Sequence, residues 1–174
     1  MSVTSRPAAD EFAPAYAGYV GRVAEHEDIL VLLAGQREEV VRRLDEIPAA
    51  RGDHRYAQGK WSVKEVIGHL GDSERIFSYR ALRFARGDPA PLPGFDENAY
   101  VPAMGAGART LPDVVAEWGD VRRATLALFR HLPEDAWRRR GTASGTPVSV
   151  RALAYIIAGH TRHHLGVLEE RYLA

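Results

Sequence analysis

The sequence predicts an all-α fold: a four-helix bundle with two long crossover connections. Two observations carry that prediction. Apolar residues recur at three- and four-residue spacings in four separate stretches, each the pattern of a helix with one buried stripe. Two of the intervals between those stretches are long and rich in proline and glycine, which suits connections that cross a bundle rather than turn tightly between neighbours. At 174 residues the chain has the size of one core.

Residues 1–24 carry Pro7, Pro14, Gly18 and Gly21, which break any long helix, so they read as an arm, and the bundle domain is placed at residues 25–174. The first helix starts from Glu25. Its face is Ile29, Leu33, Val40 and Leu44, and Ile47-Pro48 ends it. A polar stretch leads to Trp61, whose indole either plugs the end of the bundle or lines a pocket, packing being the expectation. Ser62 and Glu65 then form a capping box and start a second helix, with Val66, Leu70, Phe77 and Phe84 as its stripe and Gly87-Asp88-Pro89 as its stop.

From Pro89 to Arg109 no period is sustained, and Phe95, Tyr100 and Met104 stand among prolines and glycines, so this reads as a long loop acting as a cover. Thr110 caps the third helix, Pro112 fits its first turn, and Val114, Trp118, Val121, Thr125 and Phe129 make its stripe. After Leu132-Pro133 comes the second crossover, with a short helical turn at Glu134 to Trp137. Ser149 caps the last helix, whose face is Leu153, Ile156, Ile157, His160, His164, Val167 and Leu168.

Composition narrows the function. Hydrophobic residues at 45% and charged residues at 26% are ordinary for a folded globular chain. Lys plus Arg and Asp plus Glu each total 23, so no global field draws in nucleic acid or anionic lipid. The basic pairs Arg42-Arg43 and Arg122-Arg123 are scattered, and Arg138 to Arg140 read as a solvated patch; neither nucleic acid nor membrane is an expected partner. Cysteine is absent, so any sulfur chemistry must come from a ligand. The start of the chain has no secretory pattern, and the most apolar stretch, Ala152 to Thr161, falls well short of the roughly 20 residues that span a bilayer. The expected location is the cytoplasm.

Seven histidines are present, and His160, His163 and His164 fall within five residues. On a helix His160 and His164 lie about 40° apart on the apolar stripe with Cβ atoms about 5 to 6 Å apart, so both rings point inward and can converge on one cation. A lone histidine there would be an ordinary hydrogen-bonded core residue. Two together without a cation leave nitrogens short of partners, or repel as a charged pair, at about 1 to 3 kcal/mol per unsatisfied group.

The zinc-protease pattern is excluded because Thr161 stands where a glutamate base is needed. A di-iron bundle is excluded because no histidine has a glutamate three positions before it. A third ligand must come from another helix. His69, one turn past Val66, is the candidate and His26 the reserve, with Asp72 or Ser73 placed to accept the distal ring proton of His69 and fix its orientation. His163 sits at the margin of the stripe, and His54 and His131 fall in or beside loops.

The run Lys60-Trp61-Ser62-Val63-Lys64-Glu65-Val66-Ile67-Gly68-His69-Leu70, followed by Asp72, Glu74 and Arg75, resembles the second helix of DinB-like (YfiT-like) proteins. Gly159-His160-Thr161-Arg162-His163-His164-Leu165 resembles their last helix, and the likeness extends over about Glu25 to Tyr172. The resemblance implies a four-helix bundle holding one divalent metal ion, nickel or zinc, on His69, His160 and His164. It also implies similarity to thiol-dependent S-transferases and to a mycothiol-dependent maleylpyruvate isomerase, in which the metal activates a low-molecular-weight thiol.

The expected function is therefore a metal-dependent enzyme acting on a small-molecule substrate, with a thiol cosubstrate or water made acidic at the open position of the ion, as in thiol S-transfer or hydrolysis. The alternatives are a bundle that binds a metal or small ligand without turnover, and a metal-free bundle that assembles with a partner. Imidazole nitrogens suit several divalent metals, so the residues alone do not choose among them. Apolar residues left over on the first helix and the arm could support a homodimer.

Overall fold

The computed structural model describes residues 4–173; residues 1–3 of the expected arm and residue 174 lie outside the described residues. Its helices are α1 (Ala17–Val20), α2 (Ile29–Asp45), α3 (Val63–Ala85), α4 (Glu97–Ala103), α5 (Leu111–Arg130) and α6 (Val150–Arg171). The bundle consists of α2, α3, α5 and α6. Helix α3 packs on α5 and α6, and α2 packs on the same two, so the consecutive helices α2 and α3 occupy opposite corners.

Local chemistry sets each start. Ser62 and Glu65 exchange side-chain and backbone hydrogen bonds at the head of α3, Thr110 and Asp113 do the same for α5, and Ser149 accepts from the Ala152 N–H at the head of α6. Helix α2 begins at Ile29, four residues later than Glu25, because the Asp28 carboxylate accepts from the Leu30 and Val31 N–H groups and so is the cap.

Both crossovers carry structure that periodicity did not announce. In the first, Asp96 accepts from the Asn98 and Ala99 N–H groups and starts α4, which at two turns is too short for a 3.6-residue pattern to show. In the second, β1 (Arg140–Ala143) pairs antiparallel with β2 (Thr146–Ser149). Ser144 and Gly145 join them at φ 52° and 76°, the twist that two-residue hairpins need. Leu92 hydrogen-bonds to Thr142 and Ser144, which ties the first crossover to the hairpin.

The arm lies along α6. Glu11 pairs with Arg151 and Glu27 with Arg162. A Cβ at position 159 would stand 1.9 Å from the Tyr19 carbonyl oxygen, so Gly159 is what lets the arm backbone rest on the helix.

Helices α3 and α6 run in opposite directions, with the Tyr172 hydroxyl donating to the Trp61 carbonyl at one end and Arg139, just before α6, donating to the Ala85 carbonyl at the other. The core forms two apolar clusters, one around Leu33, Phe77, Phe129 and Ile157, the other around Val40, Leu70, Trp118 and Leu165. Between these levels every bundle helix buries polar side chains: Gln36, Ser73 and Glu74, Arg122, and His160 and Thr161. No helix among the described residues is long and apolar enough to cross a membrane.

Candidate metal centre

The opposed directions of α3 and α6 bring His69 against His160 and His164 within that polar layer. His69 Nε2 stands 3.1 Å from His160 Nε2. The His164 ring centroid lies 4.9 Å from that of His69 and 4.5 Å from that of His160. One ring nitrogen from each of the three lies within 4.8 Å of the other two, a convergence that no other set of histidine and carboxylate side chains reaches among the described residues. His26, the reserve candidate, is exposed on the turn before α2 and takes no part. His163 faces Arg22 at 3.3 Å and packs on the Tyr19 ring.

Of the two residues expected to orient His69, Ser73 reaches it, with Oγ 3.4 Å from His69 Nδ1. Asp72 turns instead to Arg75 at 3.3 Å, and Arg75 also binds Glu117. Helix phase explains the difference: position i+4 lies about 40° from His69 and position i+3 about 60° to the other side, where α5 supplies Glu117.

Burial sets the electrostatics. It pushes the His69 pKa down to about 4, against the opposing pull of the Glu97 carboxylate, and that of His164 down to about 3, helped by His69. His160 is held well below 6.5 by burial and by the His164 and His69 rings. All three imidazoles are therefore neutral at pH 7, each with a lone pair.

His160 and His69 can satisfy each other only if one of the facing nitrogens carries a proton. His164 Nδ1 is buried with no hydrogen-bond partner, and the only other such atom among the described residues, Trp118 Nε1, sits in an apolar cluster. A donor set of neutral nitrogens, close together and one of them orphaned, fits a divalent cation.

The three rings open onto a cavity of about 290 Å³. The arm supplies Tyr16 and Tyr19 to its wall, α3 supplies Phe77, and the first crossover supplies Phe95 and Glu97. Trp61 also lines it, with its ring 4.8 Å from that of His69, while still packing on the core, so the indole both plugs and lines. The first crossover does cover the site, although Tyr100 points outward and Met104 packs on Gly68. The sequence announces the arm but not its place in the cavity wall, which depends on Gly159, nor Glu97, since a single glutamate in a loop carries no local signal.

Solved structures share this fold. YfiT from Bacillus subtilis, a probable metal-dependent hydrolase with an unusual four-helix bundle topology, matches with a TM-score of 0.72 and 16% identity, over 98% of this chain and 95% of that one. The mycothiol-dependent maleylpyruvate isomerase matches with a TM-score of 0.63 and 21% identity, over 79% of this chain and 58% of that one. No curated protein matches this chain's sequence. The DinB superfamily model matches residues 32–168, and the chain belongs to that superfamily.

Proposed function

We propose that this chain is a metal-dependent enzyme in which His69, His160 and His164 hold one divalent metal ion, nickel or zinc, and a small molecule in the adjoining cavity reacts with a thiol cosubstrate or with water. The observation that carries this reading is the trio of neutral, converging imidazoles with a buried nitrogen left unpartnered beside a cavity. YfiT as a probable metal-dependent hydrolase, and the isomerase as mycothiol-dependent, support the two choices of nucleophile. When bound, the ion supplies Lewis acidity toward the thiol or water.

The chain's own residues do the rest. Ser73 Oγ, beside Nδ1, fixes the tilt of the His69 ring so that Nε2 faces the other two histidines. Tyr16, Tyr19, Phe77 and Phe95 offer apolar surface to the body of a substrate and exclude water from it. Glu97 is the carboxylate in the wall that can take up the proton a thiol or water gives off. With no cysteine in the chain, a sulfur nucleophile has to enter as a cosubstrate.

Untagged protein purified without chelator and exposed to nickel or zinc is expected to retain about one equivalent by elemental analysis, as a single site requires. Uptake should be lost when His160 and His164 are both replaced by alanine. Retention well below one equivalent in the wild type, or unchanged uptake in the double variant, would remove the site. A full equivalent with no turnover of any thiol and electrophile pair, or of any hydrolysable ester, would leave a metal binder without catalysis.

A further inference from the structure

Long charged side chains are rarely buried without an opposite charge, because the desolvation cost is not returned. Three of the more buried arginines here obey that rule: Arg122 pairs with Glu74, Arg151 with Glu11 and Arg162 with Glu27. Arg80 does not. It is 2% exposed, yet among the described residues no carboxylate reaches it. Its Nη2 donates to the Pro93 carbonyl at 2.8 Å and to Ser144 Oγ at 3.0 Å. The guanidinium lies 5.8 Å from the centre of the Phe77 ring and 6.0 Å from that of Phe95.

Phe77, Phe95 and Ser144 all line the cavity onto which the histidines open, so this uncompensated cation stands directly behind the cavity wall. Ser144 is itself unusual. It is the one non-glycine residue at positive φ among the described residues, in a turn where glycine would be less strained. Its oxygen accepts from Arg80, which leaves its own proton free to donate.

We propose that Arg80 and Ser144 form a recognition subsite for a carboxylate, so that the substrate is a small organic acid whose apolar body lies along Phe77 and Phe95 and whose other end faces the histidines. This deepens the proposed function and rests on the three histidines being the reaction centre. Glu97 also lines the cavity and does not pair with Arg80, so its charge opposes an acid and its removal should favour one. If Arg80 served only to tie Pro93 and Ser144 to α3, the cavity would show no preference for an acid.

The test is calorimetric titration of the full chain with 3-phenylpropionate and with 3-phenylpropanamide, each with and without nickel or zinc. The acid is expected to bind about ten- to a hundredfold more tightly than the amide, the range a charge-assisted hydrogen bond provides. That preference should vanish in Arg80→Met, shrink in Ser144→Gly and grow in Glu97→Gln, with metal uptake unchanged in all three.

Equal binding of acid and amide by the wild type, or binding of neither, overturns the proposal. So does a preference that survives in Arg80→Met or exists only with metal, since the carboxylate would then be a metal ligand. Should Arg80→Met fail to fold, unchanged preference in both other variants overturns it as well. An acid preference in a wild type that takes up no metal would uphold the subsite while removing the metal reading.

Discussion

The polar layer of the bundle has two halves, built from adjacent positions on the same helices, and they treat burial in opposite ways. In one half Arg122, 0% exposed, donates to both carboxylate oxygens of Glu74 at 2.6 and 2.9 Å, to Gln36 Oε1 at 3.0 Å and to Thr161 Oγ1 at 2.9 Å. Gln36 and Thr161 pass their own protons to the Ala158 and Ile157 carbonyls. One residue earlier on α3 and on α6, Ser73 and His160 belong to the other half, where three rings share few partners and His164 Nδ1 has none. Both halves are buried, so burial of polar groups does not by itself mark a site. Completeness separates them: the closed half fixes how four helices meet, and the open half keeps lone pairs available to something that enters.

The largest expected effect tests the closed half. Arg122→Met leaves the Glu74 carboxylate buried without its partner, which should lower stability by about 3 to 5 kcal/mol in urea denaturation. Adding Glu74→Leu should recover much of that loss, because two apolar residues replace a matched pair. A loss below about 1 kcal/mol in the single variant, the range of exposed pairs, would mean that the closed half does not hold the helices and the contrast would fail.

Much of this layer was legible, but unevenly. His160 and His164 stand out because two imidazoles on one apolar stripe leave ring nitrogens short of partners, which a lone core histidine does not. The helix starts at Ser62, Thr110 and Ser149 are legible because caps are local chemistry. In sequence Arg122 stands out as half of the basic pair Arg122-Arg123, although it falls on the stripe of Trp118, Thr125 and Phe129, just as Glu74 falls between Leu70 and Phe77. Opposite charges on two such stripes signal a buried pair once helix phase is applied to polar residues as well as apolar ones. The docking of the arm, α4 and the hairpin were not legible for a different reason: each segment is too short to show a period and depends on contacts made by residues far away in sequence.

A middling effect tests the cover over the open half. Gly159→Ala pushes a methyl group into the Tyr19 carbonyl, and overpacking of this kind should cost about 1 to 3 kcal/mol. Because Tyr16 and Tyr19 form part of the cavity wall, the same change should also lift the arm and make it an earlier target in limited proteolysis. Wild-type stability together with wild-type protease resistance would show that the arm does not depend on this contact.

The smallest effect at neutral pH tests the open half itself. In metal-free protein His164→Leu removes a buried nitrogen that has no partner, so stability at pH 7 should not fall, in contrast to the loss for Arg122. Acid should then reveal the residue. Its pKa lies at about 3 in the folded chain against 6.5 for the ordinary group, so between those values the unfolded chain binds more protons. The contribution of His164 is thus complete above about pH 6.5 and is lost as pH falls toward 3, at up to about 1.4 kcal/mol per pH unit for one proton. The ion pairs that Glu11 and Glu27 make with α6 do not interfere down to pH 5. Glu27 is lowered to about 2 by Arg162, and Glu11 reaches the same value because Arg151 and the Ala8 N–H outweigh its burial, so both contributions fade only from about 4.5 downward. Denaturation at pH 7, 6 and 5 should therefore show His164→Leu gaining on the wild type as the solution becomes more acidic, and parallel losses in the two proteins would mean that His164 takes up protons as freely as an exposed histidine.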